Sequence, residues 1–375
     1  MIAVRLFAAF LLASAAPRTV VLEPCGEVTF TNVPRRAIVA DANYAEMIAL
    51  TGRRVEACIS KGARFERNVF WDRLPGYSPT NTVTGATLAA LPGEGAFAFD
   101  REFFYAWLPD VIHIDPLMLG HAKGWEPAKI DDVRTRLAPF FANRFSRDWA
   151  PPRDKPDYTF YTIPELAEKM AIAYDAAEHV AKILAFVKEA EDRIAAKVAS
   201  VKNPPRVALV YGGGRVGCVL PFRLNRGNGQ AQYRVLRVRD AFDDCKFRTY
   251  GDGGAAGGSC DFETLLKIDP DVIIIPFAGA MRPGDMMYAD YQNFLKQEDH
   301  PVARHLKAFK NNRVYPGGTP LQGPVVYLFQ LEMAAKQLYP ELFGAWREDG
   351  AYPESERLFD RAALVKLLTD ASAEP

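Results

Sequence analysis

The sequence predicts an α/β fold of two similar lobes joined by one long helix. Three observations carry this expectation. The chain has 375 residues, which at roughly 100–200 residues per domain suits two domains better than one. A helix–loop–strand unit occurs twice. DREFFYAWLPDVIHIDP (Asp100–Pro116) and DFETLLKIDPDVIIIPF (Asp261–Phe277) agree at Asp, at Glu two places on, at Pro-Asp-Val-Ile and at a later Ile. Between the copies lies a long apolar pattern at helical spacing.

The elements are justified in chain order. MIAVR is a short basic lead, and LFAAFLLASAA is an apolar run too short to span a membrane, ending in small residues. This is the pattern of an export leader, with Ala13-Ser14-Ala15 as its cleavage site. Two β-rich runs flank Pro34-Arg35-Arg36, and YAEMIAL then has helical spacing. VEACIS (55–60) reads as the next strand. In each repeat copy an Asp, Asp100 or Asp261, stands where an N-cap belongs, a short helix comes next, Pro-Asp breaks it, and a continuous apolar run forms a buried strand. Such strands belong to parallel sheets covered on both faces, so each lobe is expected to be Rossmann-like.

Thr162-Ile163-Pro164-Glu165 fits a capping box. Leu166, Met170, Ala173, Ala177, Val180, Leu184, Val187, Ala190, Ile194 and Val198 then recur at helical spacing, with a break expected near Tyr174-Asp175. Asn203-Pro204-Pro205 stops the run, and RVALVY opens a second strand series. The expected division is a leader over 1–15, a first lobe over 16–160, a helical connector over 161–203 and a second lobe over 204–375.

Lys and Arg total 46 and so do Asp and Glu, a balance without the basic bias of a nucleic-acid binder. The five cysteines match no zinc or CxxC spacing. In an oxidising compartment the nearest pair is Cys245 and Cys260, and the odd count leaves at least one unpaired. The five histidines form no metal-ligand cluster, and His113, inside the apolar VIHI run, reads as a core histidine. No G-x-S-x-G or H-E-x-x-H motif occurs, so no enzyme activity is expected and no cofactor is assigned. Gly212-Gly213-Gly214-Arg215-Val216-Gly217 fits G-x-G-x-x-G, but the next residues, CVLPFRLNRGNG, do not form an amphipathic helical pattern. The glycine run reads as a loop that lets backbone approach a ligand closely.

At this point the chain resembles the periplasmic binding proteins of ABC importers for ferric siderophores, haem and cobalamin. The resemblance covers about Val28 to Phe343. It rests on GEVTFTNVPRRAIVADANYAEMIALTG, on E-x6-PDVI in each lobe, on the helix between the lobes, on HPVARHLKAFKNNRVYPGG and on AAKQLYPELFG. It implies two lobes bridged by one helix, limited hinge closure and a ligand between the lobes. It also implies that the chain works as a monomer in the periplasm and delivers its ligand to an ABC permease dimer. In that family the Glu of E-x6-PD in each lobe docks on the permease, and here those residues are Glu102 and Glu263.

Ligands of open α/β sheets sit beyond the carboxyl ends of the strands. That rule selects loops rich in arginine and aromatics, and in them Tyr44, Arg64, Trp71, Trp125, Arg144, Tyr211, Arg215, Arg223, Phe277 and Arg282 are the candidate ligand contacts. Arginines pair with anionic chelates and aromatics cover apolar ligand faces. A ferric-siderophore-like chelate suits that lining. Cobalamin, haem or another large cofactor is the alternative within the class, with a bare metal ion or a two-lobed metalloenzyme further off. The stretch Arg64–Phe97 and the loop Leu220–Tyr250 match no motif of the family.

Overall fold

The computed structural model describes residues 16–22, 25–39, 42–59, 70–79, 83–84, 101–114, 127–142, 163–211, 218–222, 224, 231–245, 260–276, 286–318 and 323–370. The expected leader over 1–15 lies outside the described residues.

The first lobe opens with an antiparallel pair, β1 (Arg18–Leu22) and β2 (Gly26–Phe30). Val20, Leu22 and Phe30 turn inward onto the lobe core. Five parallel strands come next: β3 (Arg36–Val39), β4 (Val55–Ile59), β5 (Val83–Thr84), β6 (Val111–Ile114) and β7 (Phe140–Ala142). Their spatial order is β5-β4-β3-β6-β7. The chain runs outward from β3 in one direction and restarts at β6 on its other side, so the order reverses between β3 and β6. Both strands are buried on two faces: Ala37, Ile38, Val39, Val111, Ile112 and His113 are nearly inaccessible. That is why their sequences are continuous and not alternating. Helices α1 (Ala42–Leu50), α2 (Arg101–Trp107) and α3 (Pro127–Arg136) connect the strands.

The connector has two pieces, α4 (Ile163–Ala173) and α5 (Ala177–Ala199). They part at Tyr174-Asp175, where Asp175 takes the left-handed conformation (φ 56°). Arg18 and Arg53 hold this corner through ion pairs to the Asp175 carboxylate. At 1.5 Å per residue α5 is about 35 Å long. Val180, Ile183, Val187, Ala190, Ile194 and Val198 form its buried stripe. Val180 joins the first-lobe core and the rest join the second, so one helix face serves both lobes. Ile183 takes the fully buried place expected of Leu184, which is only partly covered.

The second lobe is built on β8 (Arg206–Tyr211), β9 (Cys218–Phe222), β10 (Arg239–Asp240), β11 (Cys260–Asp261), β12 (Val272–Pro276) and β13 (Val314–Gly317). β10, β8, β12 and β13 run parallel in that order. β9 pairs antiparallel with the end of β8, and β11 pairs antiparallel with β9. The Gly-rich stretch after β8 therefore leads into an antiparallel strand, where a dinucleotide loop would lead into a helix. The sheet is mixed at this edge and not purely parallel. Cys245 and Cys260 both belong to this lobe's core. Its longer helices are α6 (Phe262–Ile268), α7 (Met286–Leu295), α8 (Pro324–Leu338) and α9 (Arg361–Asp370). Every residue of α8 is buried.

The repeated sequence is one structural device used twice. α2 and α6 each end two residues before a Pro, and the residue preceding that Pro, Leu108 or Asp269, is left-handed (φ 52° and 45°). The next residue, Asp110 or Asp271, ties the incoming strand to the first strand of its lobe. Asp110 accepts from the Arg35 and Arg36 N–H groups (2.7 and 2.9 Å), and its own N–H donates to the Arg36 carbonyl (2.7 Å). Asp271 accepts from the Arg206 N–H (2.9 Å), and its N–H returns to the Arg206 carbonyl (2.9 Å). N–H groups at the amino ends of these inner strands that would otherwise need water are satisfied, and the register of β6 on β3 and of β12 on β8 is pinned. Asp261 caps α6 by accepting from the Thr264 N–H (2.8 Å); the matching Asp100 lies outside the described residues.

Candidate functional site

The carboxyl ends of both sheets meet at one contact. β3 leads into α1, and β13 leads towards α8. Glu46, in the middle of α1, accepts through Oε1 from the Val325 (2.9 Å) and Val326 (3.2 Å) N–H groups. The first N–H groups of a helix have no partner within it and carry partial positive charge. α8 has no cap of its own: its N-cap is Gly323 and its first residue is Pro324. The cap comes from the other lobe. A Cβ on Gly323 would overlap the Glu46 carboxyl group, so a side chain at this position would displace that carboxyl.

Glu46 is 3 % exposed. Burial pushes its carboxyl up to about 7, against the downward pull of the Val326 and Val325 N–H groups. Tyr77 faces it, its phenol pushed up by burial and then by the Glu46 charge. The Tyr77 hydroxyl and the Trp71 indole N–H are buried with no hydrogen-bond partner among the described residues. The floor between the lobes is thus a small polar island in an apolar surround of Leu50, Phe70, Leu74 and Val325. It lies at the ends of the sheets where the β3/β6 and β8/β12 reversals open, the place where α/β sheets hold ligands.

Of the candidate contacts, Tyr44 has its backbone in the first turn of α1, two residues ahead of Glu46. Tyr211 ends β8 and donates its hydroxyl to Asp290 Oδ2 of α7 (2.7 Å). Its phenol is pushed up to about 12 by burial and then by that bond. Trp71 is 6 % exposed and packs tilted on Tyr77, with ring centres 5.9 Å apart, in the core that joins the lobes. Its segment, 70–79, belongs to the stretch without a family motif. It crosses to the second lobe, where Phe70 stacks on Phe329 (5.3 Å) and Phe329 meets Phe359 edge-on (5.1 Å). Arg64, Trp125, Arg144, Arg215, Arg223, Phe277 and Arg282 lie outside the described residues. Glu102 and Glu263 are exposed, each in the first turn of the short helix of the repeat.

Glu46 and Tyr77 are the members of this floor that the sequence pattern alone does not single out. The available signals are an acidic residue set among the buried positions of YAEMIAL and a Gly-Pro start to a helix with no capping side chain. His113 is a core residue as expected: 1 % exposed, hydrogen-bonded through Nε2 to the Tyr174 hydroxyl (2.9 Å), and pushed down to about 3 by burial. Among the described residues no three His, Cys, Asp or Glu side chains are grouped to hold a metal ion, and no helix is long and apolar enough to cross a membrane.

Several solved structures share this architecture. CeuE of Helicobacter pylori, solved with Ni(II) bound, is 17 % identical over 94 % of this chain and 96 % of that chain, with a TM-score of 0.57. A periplasmic binding protein of Veillonella parvula is 15 % identical over 84 % and 88 %, with a TM-score of 0.58. The siderophore-binding protein BauB, solved with two acinetobactin molecules and ferric iron, is 17 % identical over 80 % and 88 %, with a TM-score of 0.50. At these identities the likeness establishes the fold of two α/β lobes and a long helix. No curated protein matches the chain. Residues 124–319, just over half of the chain, match the family model described as periplasmic binding protein. The chain belongs to the periplasmic binding protein family, a family of binding proteins and not of enzymes.

Proposed function

We propose that this chain is the solute receptor of an ABC importer and that it captures a ferric-siderophore-like chelate between its lobes. The observation that carries the proposal is the shared floor, where the carboxyl ends of both sheets converge on the Glu46–α8 contact. A ligand there touches both lobes at once. Arg64, Arg144, Arg215, Arg223 and Arg282 supply cations for an anionic chelate. Tyr44, Trp71, Trp125, Tyr211 and Phe277 supply apolar faces. That BauB is described with a ferric acinetobactin complex supports the choice of ligand class. Export through the leader over 1–15 brings the chain to the compartment where such chelates arrive.

The test is a tryptophan-fluorescence titration of the mature chain against ferric siderophores, haem, cobalamin and free metal ions. Saturable quenching by an iron chelate but not by iron alone is expected. A response to a bare ion only contradicts the chelate reading.

Delivery uses Glu102 and Glu263, which project one from each lobe and dock on the permease dimer, one subunit each. Reversing both charges (Glu102→Lys with Glu263→Lys) abolishes transport and leaves ligand affinity intact. Unchanged transport by that double variant sinks the docking assignment.

A further inference from the structure

We propose that Glu46 is a latch between the lobes: its carboxyl holds the first turn of α8 across the floor of the cleft, and the lobes part when this contact breaks. The inference rests on the receptor reading for its use, the admission of a ligand.

Four features make the contact a latch and not a passive packing detail. It joins groups 279 and 280 positions apart, one lobe supplying the acceptor and the other both donors. Among the described residues α8 has no alternative cap: Gly323 carries no side chain and Pro324 no N–H. A side chain at 323 would overlap the carboxyl and displace it from the turn it caps. The contact is buried, so water cannot replace either partner until the lobes separate, and it is then lost as a unit.

The groups around Glu46 leave it as the titrating member. α4 meets α1 with Leu166, Ala167 and Met170, all apolar. The first turn of α8 contributes Tyr327, whose hydroxyl is engaged by Glu191 of α5 (2.5 Å). The 70–79 segment contributes Tyr77, whose phenol stays protonated across the physiological range. Latched, the Glu46 carboxyl titrates near 7; freed into water it returns to its ordinary 4.5. The latched form therefore binds the proton more tightly, and acid favours it. Between pH 5 and pH 8 the ratio of parted to latched molecules rises about 70-fold.

The test is amide hydrogen exchange of the peptide containing Val325 and Val326 in the full ligand-free chain. It is followed from pH 5 to 8, with intrinsic exchange rates divided out, in wild type, Glu46→Gln and Glu46→Ala. Wild-type protection of that turn is expected to fall by at least about tenfold across the range, in line with the 70-fold shift. In Glu46→Gln it is pH-independent. In Glu46→Ala it is lower at pH 5 by about tenfold or more, while β12 stays protected. Equal protection in wild type and Glu46→Ala overturns the latch, and so does a pH-independent wild type. If Glu46→Ala does not fold, the isosteric Glu46→Gln decides by its pH response alone. The chelate titration separates the two readings. Binding without the exchange signature sinks the latch, and the signature in a chain that binds no chelate sinks the receptor.

Discussion

Removing the aspartate of each repeat tests whether the repeated sequence is a register pin. In Asp110→Ala the Arg35 and Arg36 N–H groups lose their acceptor. Both are at the exposed amino end of the central strand β3, where water can enter, so each bond counts at its net value of about 0.5–1.5 kcal/mol and the pair at about 1–3 kcal/mol. In Asp271→Ala one N–H is orphaned, and an ion pair with Lys307, half exposed, is lost as well. The pair adds between about 0 and 1 kcal/mol, for a total of about 0.5–2.5 kcal/mol. Asn at either position keeps an acceptor without the charge and is expected to recover part of the loss. Urea unfolding followed by circular dichroism measures these differences, and native-state exchange of the Arg36 and Arg206 N–H groups localises them. The Asp271 carboxyl is held below its ordinary range: burial pushes it up, but the Arg206 N–H and Lys307 together outweigh that. Its contribution is therefore complete above the ordinary carboxylate range and disappears as pH falls below it. Alanine variants that unfold within about 0.5 kcal/mol of wild type, the range of ordinary surface substitutions, would refute the pinning argument.

Two further outcomes concern buried groups. Phe70 is fully buried between Phe329 and the Arg73 guanidinium, so Phe70→Ala should cost about 3–5 kcal/mol and lower the unfolding midpoint of both lobes together; a loss confined to the first lobe contradicts its place in a shared core. His113 stays neutral in the fold down to about pH 3, whereas the unfolded chain takes a proton near 6.5. Its stabilising effect is complete above 6.5 and drains away as pH falls towards 3, by up to about 5 kcal/mol. His113→Gln should flatten that acid limb, and parallel stability profiles for the two proteins would show that His113 does not set it.

Much of the architecture was legible because it is local. VIHI and VIIIP are apolar on both faces because their strands are covered on both sides, and the connector's stripe repeats every 3.6 residues along one helix. The break at Tyr174-Asp175 is marked by a residue that tolerates the left-handed conformation. The illegible parts depend on partners remote in the chain. Nothing near Phe70 says that its ring will lie on Phe329, and α8 is buried all round, with Gln330, Glu332, Lys336 and Gln337 covered as well, so it has no exposed face to read. Glu46 looks like an ordinary helix glutamate until the two N–H groups it caps are seen in the other lobe. The antiparallel turn of β9 onto β8 was hidden by a Gly-rich loop, whose conformational freedom permits either outcome. Most of the candidate cleft arginines fall outside the described residues, and their part in binding stands as proposed.

The most direct test of the account is an amide-exchange footprint of the chain saturated with a ferric siderophore. Protection is predicted in the peptides carrying Tyr44 to Glu46, Tyr211 and the first turn of α8, where the carboxyl ends of the two sheets converge. Protection instead around Asn32, Pro109, Arg134 and Pro139, which line a pocket at the opposite edge of the first sheet, would contradict the inter-lobe site.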